Sequence, residues 1–464
     1  MRKLFAILTA LLVVSCSMNH DEVIISTSNS QSTNNLEEQV RQTVSTILNK
    51  IDPYTRGSVR TINRIETITY EQLFGPISRT DSVIFGDFNP ERHWHMSQLP
   101  WLQLAIFDNN NGYAVLTPLF DENDRKDTDE DDDTGDSTTN TPIKLIALVD
   151  SGTINSSDII TYTNDNTIPD DYLPPTELYD GEDGDFLVGG SDANLFVAGL
   201  ISAYTYNKAT TPEDVAVYND VEDIADDNKV GPLLKTKWWQ TNPFNYYFDT
   251  MALSDNKRYA GCTTIAIAQW LTYLKNRSLS FYFNIPSTTT WTQIENEVFS
   301  SSTTSSNINE TERHTAKIIK QIADDMGVVY WGNKGTMASS AKAKKYLENH
   351  LGYSVDKDNG GRNAARLRKI VNSLNYNKPV FMSAISGLAK GHSWIIDGYM
   401  KNEDAGNDDQ DYLVHCNFGW GGDNDGWYLL NVLDSSKNND DLLDPGSEES
   451  VEFKYSWVFR YLFL

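Results

Sequence analysis

Four residues able to cooperate in acyl transfer stand in order along the chain: Gln240, Cys262, His392 and Asn417. Gly261-Cys262 leads into Thr263-Thr264-Ile265-Ala266-Ile267-Ala268-Gln269-Trp270-Leu271, whose apolar character predicts a helix buried nearly all round. A cysteine at a helix N-terminus feels the positive end of the macrodipole, which favours thiolate over thiol. Gly261 allows a sharp turn there and a close substrate approach. The position equally suits a small buried hydrophobe, so taken alone it leaves nucleophile and core filler both open. In Gly391-His392-Ser393-Trp394-Ile395-Ile396 the alternation of His392, Trp394 and Ile396 predicts a strand with one face turned inward. Gly391 clears space beside the imidazole, which at an ordinary pKa can take a thiol proton and return it to a leaving amine. A lone strand histidine also suits a structural role.

The run Tyr412-Leu413-Val414-His415-Cys416-Asn417 reads as a second strand, with His415 and Asn417 on one face and Cys416 on the other. Asn417 can accept the imidazole N–H of His392 and so fix its tautomer. Trp420, set among Gly419, Gly421 and Gly422, can cover that bond and keep water away. Cys416 reads as a structural, Val-like residue. His415 competes with His392 for the role of base and ranks below it, because it crowds Asn417. Upstream, the Gln240 amide in Lys237-Trp238-Trp239-Gln240 is a suitable oxyanion donor, paired with the backbone N–H of Cys262.

The elements that must position these groups fall into two halves. Residues 17–35 are polar and read as a flexible tether. A helix is expected over Leu36 to Leu48, then strands over Val59 to Tyr70, Ser82 to Phe85 and Leu99 to Phe107. Asn109 to Gly112 reads as a hairpin turn into Tyr113 to Leu116, Ile143 to Val149 as a further strand, and Ala193 to Tyr206 as a helix. Between Asp121 and Asp136 lies an acidic insertion with ten Asp or Glu, which reads as a solvated loop. The polar stretch from Thr210 to Val230 marks a boundary, and everything with chemical content follows it.

Cys, His and Asn in that order, with 130 residues between the first two and an upstream Gln, form the papain arrangement. The runs Lys237-Trp238-Trp239-Gln240, Gly261-Cys262, Gly391-His392-Ser393 and His415-Cys416-Asn417-Phe418-Gly419-Trp420-Gly421-Gly422 resemble the streptopain family of secreted bacterial cysteine peptidases. Asn111-Gly112-Tyr113-Ala114-Val115-Leu116 is similar, more loosely, to a strand of that family's inhibitory pro-domain. Phe418 and Cys416 stand where the family has Trp and a Val-like residue. The resemblance implies an α+β fold, with a papain-like catalytic domain over residues 230–464 whose helical part carries the nucleophile and whose antiparallel sheet carries His and Asn. A smaller α+β pro-domain over residues 36–229 would precede it. It further implies Cys262 as nucleophile, His392 as base and acid, Asn417 as its orienting partner and Gln240 in the oxyanion hole. The resemblance thus implies a latent endopeptidase that would act on protein or peptide substrates through a thioester, with an activating protease as a possible partner. No cofactor and no metal are implied. His93-Trp94-His95 offers two ligands without a third, and the histidines at 20, 314 and 350 have no partner pattern.

Composition bounds these readings. The 464 residues hold 38 Lys plus Arg against 65 Asp plus Glu, a formal net charge of −27, which argues against a nucleic-acid partner. Apolar residues at 39% and aromatics at 11% suffice for a large core. Three cysteines cannot make a disulfide scaffold. The first belongs to residues 1–16: Arg2 and Lys3, a short apolar run, then Val13-Val14-Ser15-Cys16, which resembles a bacterial lipobox. Cys16 is then the lipidation site, and Ser17 after it favours an outer-membrane or cell-surface lipoprotein of a Gram-negative bacterium, held to the membrane by its lipid. Two other functions fit the motifs: a non-catalytic binding lipoprotein with a papain-like cleft, and a thiol amidase or transpeptidase acting on cell-wall peptides.

Overall fold

The short apolar runs of the first half pair as consecutive antiparallel neighbours, and the strands of the second half extend the same sheet. A computed structural model describes residues 28–51, 60–74, 100–118, 143–164, 192–210, 229–251, 256–277, 288–300, 302–304, 306–331, 335–352, 354–359, 364–386, 391–402, 411–433 and 457–464. The signal segment with Cys16, His20, the strand expected over Ser82 to Phe85, His93, His95, the acidic insertion and most of the boundary stretch lie outside the described residues.

Helix α1 (Ser28–Ile51) is followed by strands β1 (Ile62–Thr69), β2 (Pro100–Phe107), β3 (Tyr113–Pro118) and β4 (Ile143–Val149). Helices α2 (Ser156–Asn164) and α3 (Ala193–Thr210) complete the first half. Helix α1 starts inside the segment read as a tether, and α2 was not expected, because its nine residues carry only a weak apolar stripe. The second half contains β5 (Lys229–Val230), α4 (Cys262–Lys275), α5 (Glu310–Met326), the hairpin β6 (Val329–Trp331) and β7 (Gly335–Met337), and α6 (Ser340–Leu351). After these come β8 (Asp356–Asp358), α7 (Ala364–Asn375), β9 (Val380–Ser386), β10 (Gly391–Asn402), β11 (Asp411–Asn417), β12 (Gly426–Leu429) and β13 (Trp457–Phe463). The chain is thus α+β. Among the described residues, no helix is long and apolar enough to cross a membrane.

Eleven strands form one sheet in the order β1-β2-β3-β4-β12-β11-β10-β9-β13-β8, with β5 against β10. Its two faces bury different material, because successive strand residues point to opposite sides. Val380 and Met382 of β9 and Trp394 and Ile396 of β10 join Phe196, Leu200 and Ala203 of α3 and Leu367 and Val371 of α7 in one core. Phe381 and Ile395 join Ile265, Ala268 and Leu271 of α4, Ile319 and Ile322 of α5, and Leu347 of α6 in the other. Helix α5 has sharp ends. Asn309 and Glu312 form a capping box at its start, and Gly327 closes it in the left-handed conformation.

The halves meet where β4 pairs with β12, through Val149↔Gly426, Leu148↔Trp427 and Ala147↔Tyr428. Residue 426 has to be glycine: a Cβ there would lie 2.5 Å from the Leu148 carbonyl oxygen and 2.6 Å from the Val149 Cα. The neighbouring turn is clasped from the first half. Tyr113 donates to the Asn424 side-chain oxygen at 2.7 Å, Asn424 N donates to Ser151 O at 2.9 Å, and Asp150 N donates to Asp425 O at 2.8 Å. Since backbone atoms cannot step aside cheaply, Gly426→Ala should destabilise the protein by about 1–3 kcal/mol. Urea unfolding is expected to show a lower midpoint, and an unchanged midpoint would mean the seam tolerates a side chain.

Candidate active site

Cys262 is the first residue of α4 and is 1% exposed. Gly261 before it has φ 90°, and a Cβ there would meet the Thr336 carbonyl oxygen of β7 at 3.0 Å. Both facts reserve the position for glycine. The expected dipole effect does not dominate. Burial pushes the thiol pKa up, against hydrogen bonds from Ser393 and Thr263 that pull it down, so Cys262 rests as a neutral thiol.

Strand β10 runs beside this helix start, and Thr263 Oγ1 lies 2.9 Å from Ser393 Oγ. The next residue back, His392, faces the other way. It lies on the side of Trp394 and Ile396, stacked on Trp420 at 4.1 Å between ring centroids and met edge-on by Phe196 of α3 at 5.3 Å. Phe196 also meets Trp394, Trp420 and Trp457 edge-on, so a first-half side chain fills the middle of an aromatic cage. His392 Nε2 donates to the Phe418 carbonyl at 2.7 Å, while Nδ1 is buried with no hydrogen-bond partner among the described residues. Burial depresses the imidazole pKa to about 3, despite the Phe418 bond that raises it. The motif therefore brings the strand of His392 to Cys262 but not the ring.

Nor does Asn417 reach the ring. Its Nδ2 donates to Thr236 O at 2.8 Å, and its Oδ1 accepts from Gln269 Nε2 at 2.9 Å and from Gly419 N at 3.3 Å. Trp420 stacks on His392, and the bond beneath it runs to Phe418 O, not to Asn417. Gln240 is placed by its backbone, with its carbonyl accepting Ala260 N at 2.8 Å. Its side-chain amide makes no hydrogen bond within the described residues. Gly391 opens β10 and is buried. Cys416 is fully buried in the core on the α3 side, as a Val-like residue would be.

His415 proves to be an ionic anchor. Its Nδ1 lies 2.6 Å from Asp397 Oδ1 and its Nε2 lies 3.4 Å from Asp150 Oδ2, with Arg60 2.7 Å from the other Asp150 oxygen. Burial opposes the charge, but the two carboxylates outweigh it and raise the imidazole pKa to about 10. A histidine held protonated cannot serve as base. Asp150 is correspondingly lowered to about 2, against its burial, by His415 and Arg60. Asp425, fully buried, is raised to about 7 by that burial. Sequence reasoning missed Phe196, Asp397, Asp150 and Gln269 as contributors. Only Gln269 left a signal, as a lone amide in the apolar part of α4. Among the described residues, no group of acidic, His or Cys side chains could hold a metal ion.

Residues 238–428 match the model of the Peptidase C10 family. Streptopain from Streptococcus pyogenes serotype M1 is 30% identical over 125 residues, 25% of this chain and 29% of that protein. A second Streptococcus pyogenes streptopain is 27% identical over the same length. The match thus spans less than a third of those relatives. Among solved structures, a Prevotella intermedia prointerpain A fragment aligns over 78% of this chain and 95% of its own, at 18% identity and a TM-score of 0.46. Active interpain A from the same organism aligns over 52% and 96%, at 21% identity and a TM-score of 0.36.

The His415 anchor has a pH signature. A histidine whose folded pKa is raised to about 10 contributes stability that is complete below its ordinary 6.5 and lost as pH rises towards 10. Asp150 contributes above its ordinary 3.8 and loses that as pH falls towards 2. Removing one partner of a buried pair costs about 3–5 kcal/mol. His415→Gln should therefore be less stable by that order at pH 6, with the deficit shrinking between pH 7 and 10. Denaturant titrations across that range check this, and a deficit independent of pH would mean His415 is not the charged member.

Proposed function

We propose that this chain, a Peptidase C10 family protein over residues 238–428, is a cysteine endopeptidase made in latent form. One observation carries the reading: the helix that starts at Cys262 lies against the strand of His392, tied by the Thr263–Ser393 bond, inside the matched segment. His392 Nδ1 carries an unprotonated lone pair with no partner among the described residues, the atom type that takes a thiol proton. With that proton moved, Cys262 Sγ attacks a peptide carbonyl, and the oxyanion is met by the free Gln240 amide and the Cys262 backbone N–H. The imidazolium protonates the leaving amine, and water then hydrolyses the thioester. Asn417 would orient the imidazole only after the ring turns towards it.

Latency is supported by the same geometry. Phe196 packs against the imidazole on the side away from Cys262, and burial leaves both groups neutral. Cleavage in the polar stretch between about Tyr206 and Leu234, by an activating protease, would free α3 to leave and the ring to turn. Residues 230–464 would then be the peptidase domain and residues 36–229 the inhibitory one. Export and anchoring rest on the sequence: the basic and apolar start and the Val13-Val14-Ser15-Cys16 run favour a lipid on Cys16 and an outer-membrane or cell-surface site.

Uncut protein should hydrolyse a small peptide substrate about 100-fold or more slowly than protein cut between 206 and 234, the loss expected for a misplaced general base. Cys262→Ser should abolish the activity of the cut form with the fold intact, and Cys416→Ser should keep most of it. Equal rates before and after cutting would overturn the latency. Cys16→Ala should move the protein out of the membrane fraction, and a soluble wild type with no lipid on its first residue would sink the anchor.

A further inference from the structure

We infer that Gln269 is a positioning residue, whose side-chain amide holds the oxyanion segment and Asn417 in fixed relation to the nucleophile helix. Gln269 follows Cys262 by seven positions on α4, which is about two turns, so both lie close to one stripe of the helix roughly 10 Å apart. Its Oε1 accepts the N–H of Trp238 at 3.1 Å, and its Nε2 donates to Asn417 Oδ1 at 2.9 Å. Asn417 passes the connection on through Nδ2 to Thr236 O, two residues before Trp238. The bonds close a ring through the 236–238 backbone, Gln269 and Asn417. All of its side-chain members are buried, in a helix whose other neighbours there are apolar.

The ring acts on the site at two places. Trp238 is pinned at its N–H by Gln269 and at its carbonyl by Gly421 N at 2.9 Å, and Gln240, two residues on, is pinned by Ala260 N. The oxyanion amide is thus indexed to the helix that bears Cys262. At Asn417, the two bonds settle which amide atom is oxygen and where it points, because only the oxygen can accept from Gln269 and only the nitrogen can donate to Thr236. A buried amide with both ends satisfied could also be no more than a rivet in the core. A positional role differs from that in acting through Gln240 and Asn417.

The kinetic part of the test rests on the peptidase reading, and the exchange part does not. In the full chain, Gln269→Met should expose the 236–240 backbone to hydrogen exchange about fivefold or more, with α4 itself unchanged, since one bond is worth about 1 kcal/mol. Gln269→Glu, which can still accept from Trp238, should retain the protection. After cutting, Gln269→Met should lower kcat about 10- to 100-fold, with KM within about twofold. The loss should shrink severalfold in a Gln240→Ala background, because the two act on one step. Gln269→Glu should recover activity at pH 5 relative to pH 8, where its protonated carboxyl can donate to Asn417. Unchanged exchange at 236–240, or full additivity with Gln240→Ala, would overturn the proposal. Should the wild type hydrolyse no peptide while the exchange result holds, the peptidase reading fails and the positioning of 236–240 stands.

Discussion

The arrangement depends on the two-residue period of strand β10. Ser393 bonds to Thr263 at the start of the helix that begins with Cys262, so its neighbour His392 leaves the strand on the other face in this state. The imidazole then finds itself among Trp394, Trp420 and Phe418, with Phe196 from the first half completing the enclosure. The same chain geometry that brings the two motifs together keeps the Cys262 thiol and the His392 imidazole apart. Everything else at the site is already assembled: the cysteine at its glycine turn, the 236–240 segment, and Asn417 in its bonds.

What holds this state is distributed along the β4–β12 seam. Pairing of backbones supplies the direction, and Gly426 allows the close approach. Ionic contacts set the register more finely, because Asp150 of the first half and Asp397 of the second share one imidazolium. Asp397 also accepts the Leu233 N–H at its backbone carbonyl and the Leu234 N–H at its carboxylate, so the segment leading into the second half is tied to the same residue.

Much of this was legible in the sequence. Strand runs such as Tyr113 to Leu116 and Ile143 to Val149 alternate or lie wholly buried as their residues demand, and the helices over Ala193 to Tyr206 and from Cys262 on declare themselves by composition. The residue types of the site, and the strands and helix that carry them, were likewise readable from spacing. The enclosure of the His392 ring was not, because it is completed by Phe196, nearly two hundred residues away and indistinguishable in sequence from any other core aromatic. His415 looked like a rival base because its carboxylate partners come from elsewhere in the chain, Asp397 from β10 and Asp150 from just past β4. Helix α1 begins earlier than its apolar spacing suggested, since polar residues propagate a helix once a packed stretch has nucleated it.

The seam at Gly426 has one more consequence. If the first half is cut away as proposed, β12 would become the last strand on its side, and the backbone of residues 426–428 would be left with unsatisfied donors and acceptors facing outward. With no side chain at position 426 to blunt it, that rim is an open template for another extended chain. The second half freed in that way would therefore carry a sticky border that the whole chain conceals. How long it persists as a monomer becomes a matter of what next lies down along that border.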